Sequence, residues 1–133
     1  MSVVVDASVA VKWFSEETGS EEAEAVLSAA DPIIAPDLVL AEIASALAKK
    51  VGAKILRKAQ VMSAIADAPR YFDRLIPMAE LAARATELAI EFRHPVYDCI
   101  YVALAERENT MLVTADRRLI AVAKKAKVKV KAL

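Results

Sequence analysis

The chain has 133 residues, of which 57% are hydrophobic and 27% charged, and its 18 basic and 18 acidic side chains give a net charge of zero. This length and composition predict one globular domain, 1–133, and exclude a disordered chain; the single cysteine, Cys99, excludes an internal disulfide. The apolar runs are too short to span a membrane and the first residues lack the blocks of a secretory signal, so a cytoplasmic location is expected.

The first part of the chain predicts a short strand followed by two helices. Val3–Val5 is typical of a buried strand, and a helix follows with Ser8 near its start. Thr18 and Glu21 have the spacing of a capping box, which predicts a second helix that begins there and ends near Ala29.

The middle of the chain predicts a second strand and two more helices. Ile33–Ala35 is again short and apolar, and Pro36-Asp37 is a typical start for a helix that runs to Gly52. A further helix is predicted over Lys54–Ala66 and is closed by Pro69.

The remaining elements continue the alternation of strand and helix. The predicted strands are Tyr71–Ile76, Met111–Val113 and Val128–Val130; the predicted helices are Met78–Phe92 after Pro77, Val96–Glu108 after the break at His94-Pro95, and Asp116 to about Ala126. Because strands that alternate with helices pair in parallel, the fold class predicted is α/β, with a parallel sheet between two helical layers.

Four acidic residues stand apart from other charges. Asp6 is the sole charge in 1–11, Glu42 in 38–48 and Asp98 in 95–105, and Asp116 ends the apolar run TMLVTAD. Each has a purely structural explanation. Asp6 and Asp116 are placed to cap helices, Asp98 lies where the helix dipole favours an acid, and Glu42 fits an exposed stripe.

The predicted topology favours a shared site. Asp6 and Asp116 both follow strands, at the carboxyl edge where open α/β sheets bind ligands, and the helices carrying Glu42 and Asp98 begin at that edge. Two carboxylates about 4 Å apart repel by roughly 4 kcal/mol at an effective dielectric near 20, which a shared proton or a cation would offset. Oxygen ligands alone favour Mg²⁺ or Mn²⁺, which activate water for attack at phosphorus.

Other chemistries have less support in the sequence. The only glycines are Gly19 and Gly52, which excludes a P-loop and a dinucleotide fingerprint. His94 precedes a proline at a helix break and is predicted to be structural. Cys99 is predicted to pack in the core, and Trp13 in the core or at an interface.

The basic residues are concentrated in two stretches without acids. The first contains Lys49, Lys50, Lys54, Arg57 and Lys58; the second contains Arg117, Arg118, Lys124, Lys125, Lys127, Lys129 and Lys131. Such patches bind phosphate backbones or are solvated surface. The first is predicted to overhang the acidic crevice and to contact a phosphate backbone there.

Four segments of the chain resemble the PIN-domain family, and within it the single-domain VapC toxins. VVVDASVAVKW, with Asp6 and Ser8, resembles the first motif; PDLVLAEIASAL, with Glu42, the second; HPVYDCIYVALAERENTMLVTADRRL, with Asp98, Thr114 and Asp116, the third and fourth. The match spans essentially the whole chain.

The resemblance implies a five-stranded parallel sheet and an Mg²⁺- or Mn²⁺-dependent endoribonuclease, a homodimer inhibited by a cognate antitoxin protein. It assigns metal binding to Asp6, Glu42 and Asp98, while the position of Asp116 is more variable in the family. Two alternatives stay open. One is a phosphatase of the aspartyl-phosphate type, although Ser8 stands where a second aspartate is expected; the other is a non-catalytic module that binds RNA or protein.

Overall fold

The computed structural model describes residues 1–133 and contains five parallel strands. They are β1 (Val3–Val5), β2 (Ile33–Pro36), β3 (Arg74–Ile76), β4 (Met111–Thr114) and β5 (Val130–Ala132). Their order in the sheet is β3-β2-β1-β4-β5, and every neighbouring pair is parallel. The predicted α/β class and the five-stranded parallel sheet are confirmed.

Seven α-helices connect the strands and cover the sheet. They are α1 (Ala7–Ala10), α2 (Ser20–Ser28), α3 (Leu38–Gly52), α4 (Lys58–Asp67), α5 (Ala82–Phe92), α6 (Val96–Glu108) and α7 (Arg117–Lys125). Short 3-10 segments lie at Val11–Trp13, Ala68–Tyr71 and Met78–Glu80. No helix is both long and apolar enough to cross a membrane.

The core lies around β1 and α6. Val4 on β1 pairs with Ile34 on one side and Leu112 on the other, and all three side chains are fully buried. Helix α6 packs on strands β1, β2 and β4 with one face and against α5 with another. This explains why its seven consecutive residues Cys99–Ala105 are all buried. The predicted core position of Cys99 is therefore confirmed.

Several predicted helix starts differ from the structure because local hydrogen bonds or backbone angles compete. Thr18 does not cap α2: Gly19 precedes the helix with a φ of 90°, and Ser20 Oγ accepts from the Glu17 N–H instead. The helix predicted from Lys54 begins at Lys58, because Lys54 adopts a left-handed φ of 62°. The segment after Pro77 makes a 3-10 turn before α5 begins at Ala82.

Two predicted strands are shorter or shifted. Tyr71 lies in a 3-10 turn, so the third strand is only Arg74–Ile76. The fifth strand is Val130–Ala132 rather than Val128–Val130, because Lys127 ends the preceding helical segment with a φ of 61° and Val130 is the residue that pairs with Leu112.

Trp13 belongs to an aromatic cluster rather than to an open surface. Its ring stacks on Tyr71 with the centroids 5.6 Å apart and lies near Phe14 and Phe72. Its Nε1 donates to the carbonyl of Ala23 at 2.9 Å. These contacts confirm its predicted packing role and tie α2 to the segment before β3.

Candidate active site

The pairing of β1 with β4 places Asp6 beside Thr114. Val5 pairs with Val113, so the next residue of each chain segment lies at the carboxyl edge of the sheet. Thr114 Oγ1 donates to Asp6 Oδ2 at 2.7 Å, and both side chains are buried. The parallel register alone thus joins two residues that are 108 positions apart in sequence.

Two short hydrogen-bond chains end on the Asp6 carboxylate. The Ala115 N–H donates to Ser8 Oγ at 2.9 Å, and Ser8 Oγ donates to Asp6 Oδ1 at 2.7 Å. On the other side the Asp116 N–H donates to Thr114 Oγ1 at 3.0 Å. Because each hydroxyl accepts from a backbone amide while it donates to the acid, both hydroxyl donors are polarised and fixed in direction.

These hydrogen bonds do not cancel the effect of burying Asp6. The residue is only 5% exposed, and desolvation raises the pKa of its carboxyl to about 6. The bonds from Ser8, Thr114 and the Val9 amide act to lower that pKa, whereas the charge of Asp116 adds to the increase. A buried carboxylate with several donors and a raised pKa is characteristic of a functional site.

The capping roles considered for two of the acids are also realised. Asp6 Oδ1 accepts from the Val9 N–H at 3.4 Å, which is at the long end of hydrogen-bond distances. Asp116 Oδ1 accepts from the Arg118 N–H at 2.8 Å. The cap accounts for Asp116 fully, but Asp6 makes shorter bonds to two hydroxyls in addition to its cap.

Glu42 on α3 is held by a tyrosine from α6. The Tyr101 hydroxyl donates to Glu42 Oε1 at 2.5 Å. Partial burial raises the pKa of Glu42, the Tyr101 bond opposes this increase, and the charges of Asp98 and Asp116 reinforce it. Burial and the neighbouring Glu42 raise the pKa of Tyr101 well above its usual value, so the hydroxyl keeps its proton. The pairing with Tyr101 was not predicted from the sequence.

Asp98 lies in the first turn of α6, as predicted, and contacts the only histidine of the chain. His94 Nε2 lies 2.7 Å from Asp98 Oδ2. The sequence predicted a structural role for His94, and this contact was not foreseen. The two residues are only four positions apart, but His94 and Pro95 precede α6, so the turn before the helix and not helical spacing brings the two side chains together.

The four predicted acids influence one another electrostatically but do not form a ready-made metal cage. Asp116 contributes to the raised pKa of both Asp6 and Glu42, and Asp98 to that of Glu42. No group of three or more His, Cys, Asp or Glu side chains is arranged to hold a metal ion. Each of Asp6, Glu42 and Asp98 is instead hydrogen-bonded to protein partners of its own.

A cleft of about 500 Å³ opens beside this acidic edge. Its polar lining consists of Ser8, the acids Glu17 and Glu42, and the lysines Lys12 and Lys50. Lys50 Nζ also pairs with Glu17 at 2.9 Å. Of the five residues in the first basic stretch, only Lys50 lines the cleft. The other four, Lys49, Lys54, Arg57 and Lys58, are exposed. Lys12 was not among the predicted residues.

Comparison with known proteins gives a family match over almost the whole chain. The model of the PIN domain matches residues 3–125. Ribonuclease VapC3 from Pyrobaculum aerophilum is 35% identical over 121 residues, which cover 90% of this chain and 92% of that protein.

Solved structures share the fold at lower sequence identity. VapC20 from Mycobacterium tuberculosis, named as a toxin that cleaves the sarcin–ricin loop, has a TM-score of 0.72 at 19% identity, covering 90% of this chain and 94% of its own. VapBC2 from Rickettsia felis, bound to a DNA fragment from its promoter, has a TM-score of 0.69 at 17% identity. The match covers 100% of this chain and 99% of the chain in that structure.

Proposed function

Because the chain belongs to the PIN-domain family, we propose that it is a metal-dependent endoribonuclease, the toxin of a VapBC-type toxin–antitoxin pair. The observation that carries this proposal is the environment of Asp6. A buried carboxylate with a raised pKa is held by two hydroxyls at the sheet edge, beside a cleft that contains Glu42 and two lysines. A purely structural cap needs neither the hydroxyls nor the cleft.

The donor chemistry fits a hard divalent cation. Asp6, Glu42, Asp98 and Asp116 offer only carboxylate oxygens, which suit Mg²⁺ or Mn²⁺ better than zinc. When bound, such a cation lowers the pKa of a coordinated water and stabilises charge on a phosphate in transfer. Asp6, Glu42 and Asp98 are the residues that would hold it, with Asp116 contributing its charge or a further oxygen.

The protein side chains around the acids supply orientation. Ser8 and Thr114 fix both oxygens of Asp6 through amide-backed hydroxyls. Tyr101 fixes one oxygen of Glu42, which has no other hydrogen bond. Since the tyrosine keeps its proton, its hydrogen bond favours the charged, acceptor-only form of Glu42 that a cation requires and opposes the effect of burial.

The substrate backbone is proposed to lie in the cleft. Lys50 and Lys12 place positive charge in the lining of the same cleft as Glu42 and Ser8, where RNA phosphates can displace Glu17 from Lys50. Lys49, Lys54, Arg57 and Lys58 extend this charge along the surface and are proposed to contact RNA outside the cleft.

Two protein partners complete the proposal. An antitoxin protein would inhibit the chain, and a second copy of the chain would assemble with it; the shared fold of VapBC2 from Rickettsia felis supports the antitoxin partner. Large apolar side chains remain exposed for such contacts, namely Ile55, Met62, Ile90 and Tyr97. An RNA substrate would place the activity in the cytoplasm.

Incubation of purified, antitoxin-free protein with total RNA tests this function. With Mg²⁺ or Mn²⁺ we expect cleavage at a limited set of sites, which end mapping identifies, and no cleavage with a chelator. Asp98→Asn, prepared in the same way, is the matched control for a contaminating nuclease. RNA that remains intact with every metal would instead support a non-catalytic binding module, and release of phosphate from a monoester would support the phosphatase.

A further inference from the structure

The side chain of His94 makes one polar contact, and that contact is to a proposed metal-binding acid. His94 lies between α5, which ends at the left-handed Arg93, and Pro95, which precedes α6. The His94 N–H donates to the Ala89 carbonyl at 3.1 Å, so the backbone is tied to the end of α5. The ring is therefore presented to Asp98 from a fixed position.

The two carboxylate oxygens of Asp98 differ in their contacts, because only Oδ2 is hydrogen-bonded to His94. A carboxylate oxygen accepts, so the 2.7 Å contact is a hydrogen bond from His94 to Oδ2 when the imidazole hydrogen is on Nε2. Asp98 Oδ1 has no hydrogen bond within the chain. With 16% and 20% of their side chains exposed, the ring and the carboxylate are shielded enough from water for this orientation to persist.

We propose that His94 is a positioning residue that orients Asp98 so that Oδ1 faces the divalent cation. This inference rests on the proposed metal-dependent function and adds to it a residue outside the four acids. A role in capping α6 does not explain the contact, because the residue before α6 makes no side-chain cap and the His94 ring contacts a carboxylate rather than a backbone amide. Partners of this kind fix a ligand's orientation and raise metal affinity.

Calorimetric titration with Mn²⁺ tests the inference on four untagged proteins: wild type, His94→Leu, His94→Gln and Arg93→Asn. His94→Leu removes the donor and should weaken Mn²⁺ binding about tenfold to a hundredfold. His94→Gln carries an amide N–H at the reach of Nε2 and should bind nearly as tightly as wild type. Arg93→Asn alters the same turn with a residue that tolerates its φ of 52° and should bind like wild type.

The outcomes separate this inference from the function on which it rests. If wild type binds Mn²⁺ and His94→Leu binds it equally, or if His94→Gln is as weak as His94→Leu, the positioning role is wrong and the metal site stands. If wild type itself binds no Mn²⁺, the metal site is wrong and the inference with it.

A second measurement needs no variant, should His94→Leu fail to fold. The chain has a single histidine, so nitrogen NMR of the wild-type protein shows one imidazole. The inference predicts a hydrogen on Nε2 in the metal-free protein and again with Mg²⁺ bound. A hydrogen on Nδ1 alone would overturn it, because Nε2 could not then donate to Asp98.

Discussion

Asp6 illustrates how a single carboxylate can be stabilised and strained at once. Its pKa is about 6 in the folded protein against 3.8 for an ordinary aspartate, because desolvation outweighs three hydrogen bonds. The folded state therefore binds more protons than the unfolded chain between these values. The contribution of Asp6 to stability is fully present below pH 3.8 and is lost as the pH rises through 6, by about 3 kcal/mol at 1.36 kcal/mol per unit.

The hydroxyl of Thr114 limits this loss, which gives a first prediction. Thr114→Val keeps the shape of the side chain and removes the donor to Asp6 Oδ2. At pH 7, where Asp6 is charged, the metal-free variant should lose about 1.5–3 kcal/mol of unfolding free energy, the usual worth of a hydrogen bond to a charged group. At pH 4.5 the acid is protonated and the loss should be smaller, which urea denaturation with a chelator measures.

Thr110→Val is the matched control for this experiment. Thr110 is also nearly buried, but its hydroxyl donates to the carbonyl of Ser2, which does not titrate. Thr110→Val should therefore lose the same amount of unfolding free energy at pH 7 and at pH 4.5. If Thr114→Val also loses the same unfolding free energy at pH 7 and at pH 4.5, the Thr114 hydroxyl does not stabilise the charged form of Asp6.

Some of the residues around Asp6 could be predicted from the sequence and others could not. Asp6, Ser8 and Thr114 were identified from motifs, and strand register explains why they meet. Tyr101 and Lys12 were missed because each looks like an ordinary helix residue until the packing of α6, or the wall of the cleft, is known. The contact of His94 with Asp98 was missed for another reason. The two residues are only four positions apart, but the proline break after His94 suggested a purely structural role.

At the scale of secondary structure, α6 does most to position the site. Asp98 and Tyr101 lie three residues apart and so project from neighbouring positions on the same side of the helix. The buried segment Cys99–Ala105 locks the helix against both the sheet and α5. The first and last residues of α6 were predicted correctly, because Pro95 directly precedes the helix and Asn109 ends it with a left-handed backbone conformation. The start of α4 was predicted incorrectly, because Lys54 adopts a left-handed backbone conformation that its residue type does not indicate.

Two lysines that line the cleft, Lys50 on α3 and Lys12 in the 3-10 segment Val11–Trp13, give a prediction for RNA binding. Lys12→Gln with Lys50→Gln removes both positive charges that line the cleft. If each contacts one phosphate, the slope of log affinity against log salt should become shallower by roughly 1.4, at about 0.7 per phosphate for a single strand. Filter binding or fluorescence anisotropy, with a chelator to prevent cleavage, measures this slope.

Lys124→Gln with Lys125→Gln is the control, because these lysines are exposed on α7 and do not line the cleft. The control should leave the slope close to that of wild type. A cleft variant with an unchanged slope would show that Lys12 and Lys50 do not neutralise RNA phosphates. Removing the exposed Lys54 and Arg57 then tests whether the outer surface does so.

At the scale of the whole molecule, the alternation of short apolar strands with helices was sufficient to predict the fold. Parallel pairing then brings the ends of β1 and β4 together, along with the helices that carry Glu42 and Asp98. What the sequence could not give is the exact arrangement of the carboxylates. Glu42 and Asp98 are bonded to Tyr101 and His94, and no three acids are arranged as a metal cage.

We propose that Asp6 serves a metal-dependent RNA-cleaving site and does not only cap α1. Asp6→Asn tests this most directly, because asparagine caps a helix about as well as aspartate but lacks the charge. The measurement is RNA cleavage and melting temperature for both proteins at pH 7, each with a chelator and with Mn²⁺.

We predict that Asp6→Asn loses nearly all cleavage. Without metal it should be at least as stable as wild type, by up to about 3 kcal/mol, because it removes a desolvated charge. Mn²⁺ should raise the melting temperature of wild type and do little for the variant, since a ligand stabilises only a state that it binds. An active Asp6→Asn protein whose melting temperature still rises with Mn²⁺ would show that Asp6 is only a helix cap.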